Sequence, residues 1–468
     1  MEKKKSSIWL NSIPKKEYKK IEHNLATEVC IIGGGITGIS TAYYLSKHGI
    51  DVTVLEKDTI CSKTTGHTTG KITSQHGLFY KYLLESQGKE YAKKYLDINE
   101  RALENIENII NEEKLECDFE RKNAFVFTFM LERVKALQDE VSITRCLGIK
   151  SEFVEDMELP LKIHGGIKFK NQAQFNPVKY VNDLCESISK KGVKIYEGSK
   201  VTGYKRSGEK FKVSVESSGT KYTVLADKIV VATRYPIFNF PGVYFIKNYQ
   251  ELEFAMCVKV KENINNYDMY LSADTPNISF RTVLNDNERY LLVVGNGRKS
   301  GKDYDKNGFE FLENIIKNMY YDYEIIDKWI AEDCISLDKI PYIGKYSNFS
   351  KNIYVATGFK KWGMTFSNIA ANIITDEILN GSSKYSEFFN STRIKPIKNK
   401  EEMKNMISET YNSLIKPKFS KDENKKCCGH LGCKMEFNET TSEWECPCHG
   451  SRFEKDGKLI DGPSIKDI

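Results

Sequence analysis

The sequence predicts an α/β protein with a small cysteine-rich module at its C-terminus, on three observations. An apolar run, a glycine-rich turn, a helical stretch and a second apolar run ending in an acid follow one another near the start. Strand-like and helical stretches then continue to about residue 385. Of the twelve cysteines, five fall between Cys427 and Cys448, after the composition has shifted toward Lys, Ser, Asn and Glu.

The chain of 468 residues is long enough for two or three domains. Its 40% hydrophobic and 12% aromatic content is that of an ordinary globular protein rather than a disordered one. The net charge of +6 is a small excess of 70 basic over 64 acidic residues spread along the chain, which gives no reason to invoke nucleic acid. Met1–Lys5 is basic, but Ser6–Pro14 is too short and polar for a signal-peptide core. No apolar run approaches the length that spans a bilayer. The expectation is a soluble, cytoplasmic protein.

The first unit is strand Glu28–Ile32, turn Gly33-Gly34-Gly35-Ile36-Thr37-Gly38, helix Ile39–His48, strand Asp51–Leu55 and acid Glu56. Gly33 permits the tight turn, Gly35 lets the backbone approach a pyrophosphate, and Gly38 allows helix and sheet to pack closely. Phosphates then sit at the positive end of the helix that starts near Ile36. Glu56 stands where a carboxylate accepts hydrogen bonds from the adenosine ribose. A glycine pattern alone is a weak sign of a dinucleotide. With the second strand and the acid in place, a merely glycine-rich turn is the lesser reading. Thr64–Gln75, which includes Thr68 and Thr69, follows with small hydroxylated residues and no apolar periodicity. It reads as a surface loop, or as a loop running beneath a flavin.

In that register the segment resembles the D-amino-acid oxidase superfamily of FAD-dependent oxidoreductases, and three further stretches carry the same resemblance. Gln174–Tyr180 leads to helix Val181–Lys191, strand Val193–Tyr196 and Gly198–Val201, where Val201 would meet the adenine. Ala226–Pro236, with Thr233, resembles the second nucleotide-proximal turn. Asn352–Gly358 is a buried-strand run, and Phe359–Thr365, with Gly363 and Met364, leads into helix Phe366–Leu379. The N-terminus of that helix would face the pyrimidine end of the flavin, where reduced flavin carries negative charge. The resemblance spans roughly residues 25–385. It implies a Rossmann-like FAD-binding domain built from about 26–80, 165–242 and 336–385. An antiparallel-sheet substrate domain would be built from 81–164 and 243–335, with an N-terminal arm over 1–25. Arg281, in the strand-like Ile278–Thr282, is the candidate clamp for a substrate carboxylate, against the equal reading of a surface arginine; Arg298 and Lys299 carry a weaker form of the idea. Some relatives bind flavin covalently through a cysteine, but Cys334 is out of register for that, so FAD is expected to be non-covalent.

Isolated cysteines in a cytosolic protein are expected to be small buried hydrophobes, which is the reading for Cys30, Cys117, Cys146, Cys185 and Cys257. A dense Cys/His cluster points to metal instead. A polar connector, 386–425, with a weak helical stretch at Lys400–Leu414, leads to the module at 426–468. There Cys428-Gly429-His430-Leu431-Gly432-Cys433 and Cys446-Pro447-Cys448-His449-Gly450-Ser451 place C-x-H and C-x-x-H boxes fifteen residues apart. With Gly462-Pro463 beyond them, the boxes resemble the Rieske family. That resemblance implies a [2Fe–2S] cluster with Cys428 and Cys446 on one iron and His430 and His449 on the other. It also implies a disulfide between Cys433 and Cys448. A structural zinc cage is the alternative. Most of the β-strand base that normally surrounds the boxes has no room in this sequence.

Together these resemblances imply oxidation of an amine or amino-acid-like substrate by hydride transfer to flavin. Electrons would then leave singly through the cluster to an acceptor protein or quinone-like carrier. No catalytic base is visible, and none is needed for hydride transfer from a neutral amine. The alternative makes the module a redox sensor or structural element; a third reading reverses the electron flow. Because every flavin motif lies before residue 385, a chain lacking 420–468 is expected to keep its FAD.

Overall fold

The computed structural model of the chain describes residues 6–14, 16–301, 308–393, 426–439 and 441–468. The helical stretch expected at Lys400–Leu414 and most of the connector lie outside the described residues.

Val29–Ile32 and Val52–Leu55 are buried at every position and apolar at all but Thr53, the pattern of parallel strands covered on both faces. They form the centre of an eight-stranded sheet in the order Tyr342–Lys345, Ile353–Thr357, Thr220–Val231, Leu25–Ile32, Val52–Leu55, Lys194–Tyr196. The inner pairings are parallel. Lys200–Ser207 and Lys210–Ser217 add an antiparallel hairpin to Thr220–Val231. The helices Ile36–Lys47 and Gly363–Asn380 pack together, and Thr37 Oγ1 lies 2.7 Å from Ser367 Oγ across their N-terminal turns. The second of these starts at Gly363, earlier than Phe366, because Trp362 already occupies the cap position.

A nine-stranded sheet stands beside the first, and all its pairings but one are antiparallel. Its inner strands, such as Asn248–Val260 and Ile278–Asn285, are buried almost throughout. The C-terminal module is a four-stranded antiparallel sheet, Glu436–Asn438, Glu443–Glu445, Arg452–Glu454 and Leu459–Asp461. Its own core is only Cys428, Cys433, Met435, Cys446 and Phe453, too little to hold a domain alone.

Two expectations change. Cys146 is exposed, at the last position of helix Val134–Cys146, whereas Cys30, Cys117, Cys185 and Cys257 are buried. The N-terminal segment is not a separate arm: Ile8 and Trp9 are buried, and Trp9 Nε1 donates to the Thr68 carbonyl at 2.7 Å. Among the described residues no helix is long and apolar enough to cross a membrane.

Candidate functional site

A cleft with about 1400 Å³ of empty space opens at the carboxyl ends of the parallel strands, lined by Ile32, Leu55, Ala232 and Thr357 and the turns after them. This is where open α/β sheets bind ligands. Gly33 has φ +112°, and a Cβ there would lie 2.6 Å from the Ala232 carbonyl oxygen, so only glycine makes this turn. A Cβ on Gly38 would lie 2.0 Å from the Gly33 oxygen; this glycine is the packing contact behind the turn and does not line the cleft. Gly35 caps helix Ile36–Lys47 with no side chain. At that helix's start, Ile36 N–H donates to Thr65 Oγ1 at 3.1 Å. The helix beginning at Gly363 also lacks a side-chain cap. Two helix N-termini whose cap residues offer no side-chain acceptor therefore meet one cleft, a setting that favours anionic phosphate and reduced flavin.

Gly33, Gly35, Ile36, Thr37, Glu56, Thr68, Val201, Thr233, Gly358, Gly363 and Met364 all line this cleft. Thr69 does not; its carbonyl is taken by Arg281. The Glu56 carboxylate accepts from Gly34 N–H at 2.7 Å and Asp58 N–H at 2.9 Å, while burial raises its pKa. Both residue types and cradle fit a dinucleotide such as FAD. Glu56→Ala should weaken FAD binding by about ten- to hundredfold, the worth of charge-assisted hydrogen bonds. An unchanged FAD dissociation constant, measured by fluorescence quenching, would remove Glu56 from the site. Cys334 also lines the cleft; burial raises its thiol pKa, and its sulfur lies 3.4 Å from Thr357 Oγ1. A buried neutral thiol is unreactive.

The wall of the cleft is completed by the module. Leu459, Asp461, Gly462, Ser464 and Ile465 line the same space as Glu56 and Thr233. Three guanidinium–carboxylate pairs, two of them buried, pin the module down. Arg298 holds Glu445 in a fork at 2.8 and 3.0 Å, Arg452 meets Glu332, and Arg234 bridges Glu332 at 2.5 Å and Asp461 at 3.3 Å. Glu445 also accepts from Gly301 N–H at 2.9 Å and Asn438 at 2.8 Å. The module, whose own core is small, thus rests on the flavoprotein's surface through these pairs. A chain without residues 420–468 would lack these lining residues, so loss of FAD, not its retention, becomes the expected outcome of truncation.

In the module Cys428 and Cys446 are buried side by side, and their interaction lowers the Cys428 thiol and raises that of Cys446. The rings of His430 and His449 stand edge to face with centroids 4.9 Å apart. Burial holds both imidazoles neutral, His430 at about 4 and His449 at about 3. The Nδ1 atoms of both are buried and have no hydrogen-bond partner. Two orphaned, neutral imidazole nitrogens and two buried cysteine sulfurs in one small module are a donor set that suits a [2Fe–2S] cluster of Rieske type. Cys433, Cys448 and His449 also lie within 4.8 Å of one another. Cys433 and Cys448, however, are joined in a disulfide, which removes both as thiolate ligands.

Arg281 is not placed as a clamp. Its guanidinium is buried and donates to the carbonyls of Thr69, Gly70, Phe175 and Thr282, and it does not line the cleft. Arg298 is likewise committed to Glu445. The residues that sequence reasoning missed are Arg234, Tyr235, Asn239, Glu332 and Asp461. Arg234 and Tyr235 directly follow Thr233, a proximity that was available as a signal; the others carry none.

The model of the FAD-dependent oxidoreductase family matches residues 28–377, and that of the Rieske [2Fe-2S] domain matches 424–468. YhfW of Bacillus subtilis (strain 168), provisionally named a Rieske 2Fe-2S iron-sulfur protein, is 30% identical, the match covering 99% of this chain and 96% of YhfW. Gamma-glutamylputrescine oxidoreductase of Escherichia coli (strain K12) is 20% identical over 80% of this chain and 88% of its own. Among solved structures, glycine oxidase from Geobacillus kaustophilus superposes with a TM-score of 0.67 at 15% identity, over 80% of this chain and 100% of its own.

Proposed function

The chain belongs to the FAD-dependent oxidoreductase family and carries a C-terminal Rieske [2Fe–2S] domain, and from this premise we propose that it oxidises an amine-type substrate and passes the electrons singly through the module. When bound, FAD accepts a hydride as a two-electron carrier and the cluster carries one electron at a time. The observation that carries the reading is a single layer of residues between the two sites. Tyr235 lines the flavin cleft and packs edge-on against His430 with centroids 6.0 Å apart. Asn239 Oδ1 lies 2.6 Å from His430 Nε2, and Phe245 stands edge-on to His449 at 6.1 Å. His449 is 2% exposed. The histidine side of the module is therefore turned toward the flavoprotein, the orientation an internal relay needs.

Protein residues supply position and electrostatics here. The helix beginning at Gly363 would stabilise charge at the pyrimidine end of the ring, and the buried walls exclude water. The Rieske loop along the cleft favours a second reading as well, in which the module is a structural lid. Anaerobic mixing of the holoprotein with primary and secondary amines tests the enzyme reading: flavin absorbance should bleach with at least one amine that has a C–H next to nitrogen. Failure with amines and amino acids alike would reject it.

A further inference from the structure

Resting on that reading, we propose that the substrate's nitrogen-bearing end is recognised as a cation by Asp333, so that the enzyme takes amines rather than compounds with a carboxylate facing the antiparallel sheet. Strand Tyr323–Ser336 is the part of that sheet that reaches the cleft, through Asp333 and Cys334. Asp333 is part-exposed, and the cleft is what it is exposed to. Around it the sheet concentrates negative charge. Glu251 is its cross-strand partner, and Glu253 follows on the same strand.

The cations on this side are already committed. Lys361, on the cleft wall, sits 3.0 Å from Glu251 and 2.8 Å from Glu253. Arg234 is bound to Glu332 and Asp461. Arg281, which would have served a carboxylate, spends its donors on backbone carbonyls. Glu251 and Glu253 share Lys361, and Asp333, which lines the cleft, has no ion pair among the described residues. Burial and then Glu253, with Glu251 adding, raise Asp333 to about 7 against the opposing pull of Lys361 and Arg234. An incoming cation favours the ionised form and relieves the crowding of like charge, whereas an incoming carboxylate would add to it. Placed beside Asp333, a substrate ammonium gains charge-assisted hydrogen bonds and can pass its proton to that carboxylate, which leaves the neutral amine that hydride transfer requires.

The test uses the oxidised holoprotein and two probes that share a tert-butyl group and differ in the sign of their charge, tert-butylammonium and pivalate. Neither has a hydrogen on the carbon next to its charged group, so neither is a hydride donor at that position. Titrated against the flavin absorption bands, tert-butylammonium should give a saturable perturbation and pivalate none. Asp333→Asn should weaken the ammonium probe by about ten- to hundredfold. Saturable binding of pivalate in preference to tert-butylammonium would overturn the inference, as would no perturbation by either or an Asp333→Asn protein that binds as the wild type does. The wild-type comparison decides even if the variant fails to hold flavin. Because the probes are not oxidised, this outcome is separate from that of the amine-oxidation reading: a protein that binds pivalate and oxidises amino acids would sink only the cation site.

Discussion

A chain ending at residue 425 should purify without FAD, or lose it on gel filtration, while the full chain keeps it. The reason is geometric and electrostatic together. Leu459, Asp461, Gly462, Ser464 and Ile465 vanish from the cleft wall. Arg298 and Glu332 lose charged partners at buried positions, and Arg234 loses one at a part-buried position. Removing one partner of a buried pair typically costs about 3–5 kcal/mol, and two such pairs are broken at once. Absorbance at the flavin bands against protein concentration reads the result. A truncated protein that retains stoichiometric FAD would show that the module is a passive neighbour of the flavin site.

Cys446→Ala should act on the other cofactor. The anaerobically purified full chain should hold about two irons with acid-labile sulfide, as a Rieske centre requires, and the variant should hold almost none. FAD should survive, because Arg298–Glu445, Arg452–Glu332 and Arg234–Asp461 do not involve that sulfur. Iron analysis and flavin absorbance on one sample separate the two effects. Undiminished iron in Cys446→Ala with loss in Cys433→Ala would move the ligand set to the residues of the disulfide. Stoichiometric zinc without sulfide would favour a structural cage.

What the sequence made legible is what local chemistry dictates. Gly33 needs positive φ, Gly38 needs the absence of a Cβ, and metal ligation needs cysteine and histidine at fixed spacing, so each leaves its mark in neighbouring residues. Arg281 was misread because an arginine in a strand looks the same whether its donors meet a ligand or carbonyls. Asp461, Glu332 and Glu445 are ordinary charged residues until the fold sets each against a guanidinium more than a hundred positions away in sequence. The short β-base looked like a defect for the same reason. A module whose core is five residues draws its remaining support from a surface encoded elsewhere in the chain. Cys146 shows the smaller case, where a helix-terminal position overrides the usual burial of cysteine.

The central claim is that electrons taken from substrate at the flavin reach the cluster within one chain. Its most direct test is anaerobic rapid mixing of the full chain with a reducing amine at submicromolar protein, following flavin absorbance and, in freeze-quenched samples, the EPR signal of the reduced cluster. The layer formed by Tyr235 and His430 predicts that the cluster signal rises as the flavin is reduced, at a rate independent of protein concentration. A flavin that bleaches fully while the cluster stays oxidised, or is reduced only in proportion to protein concentration, would contradict it.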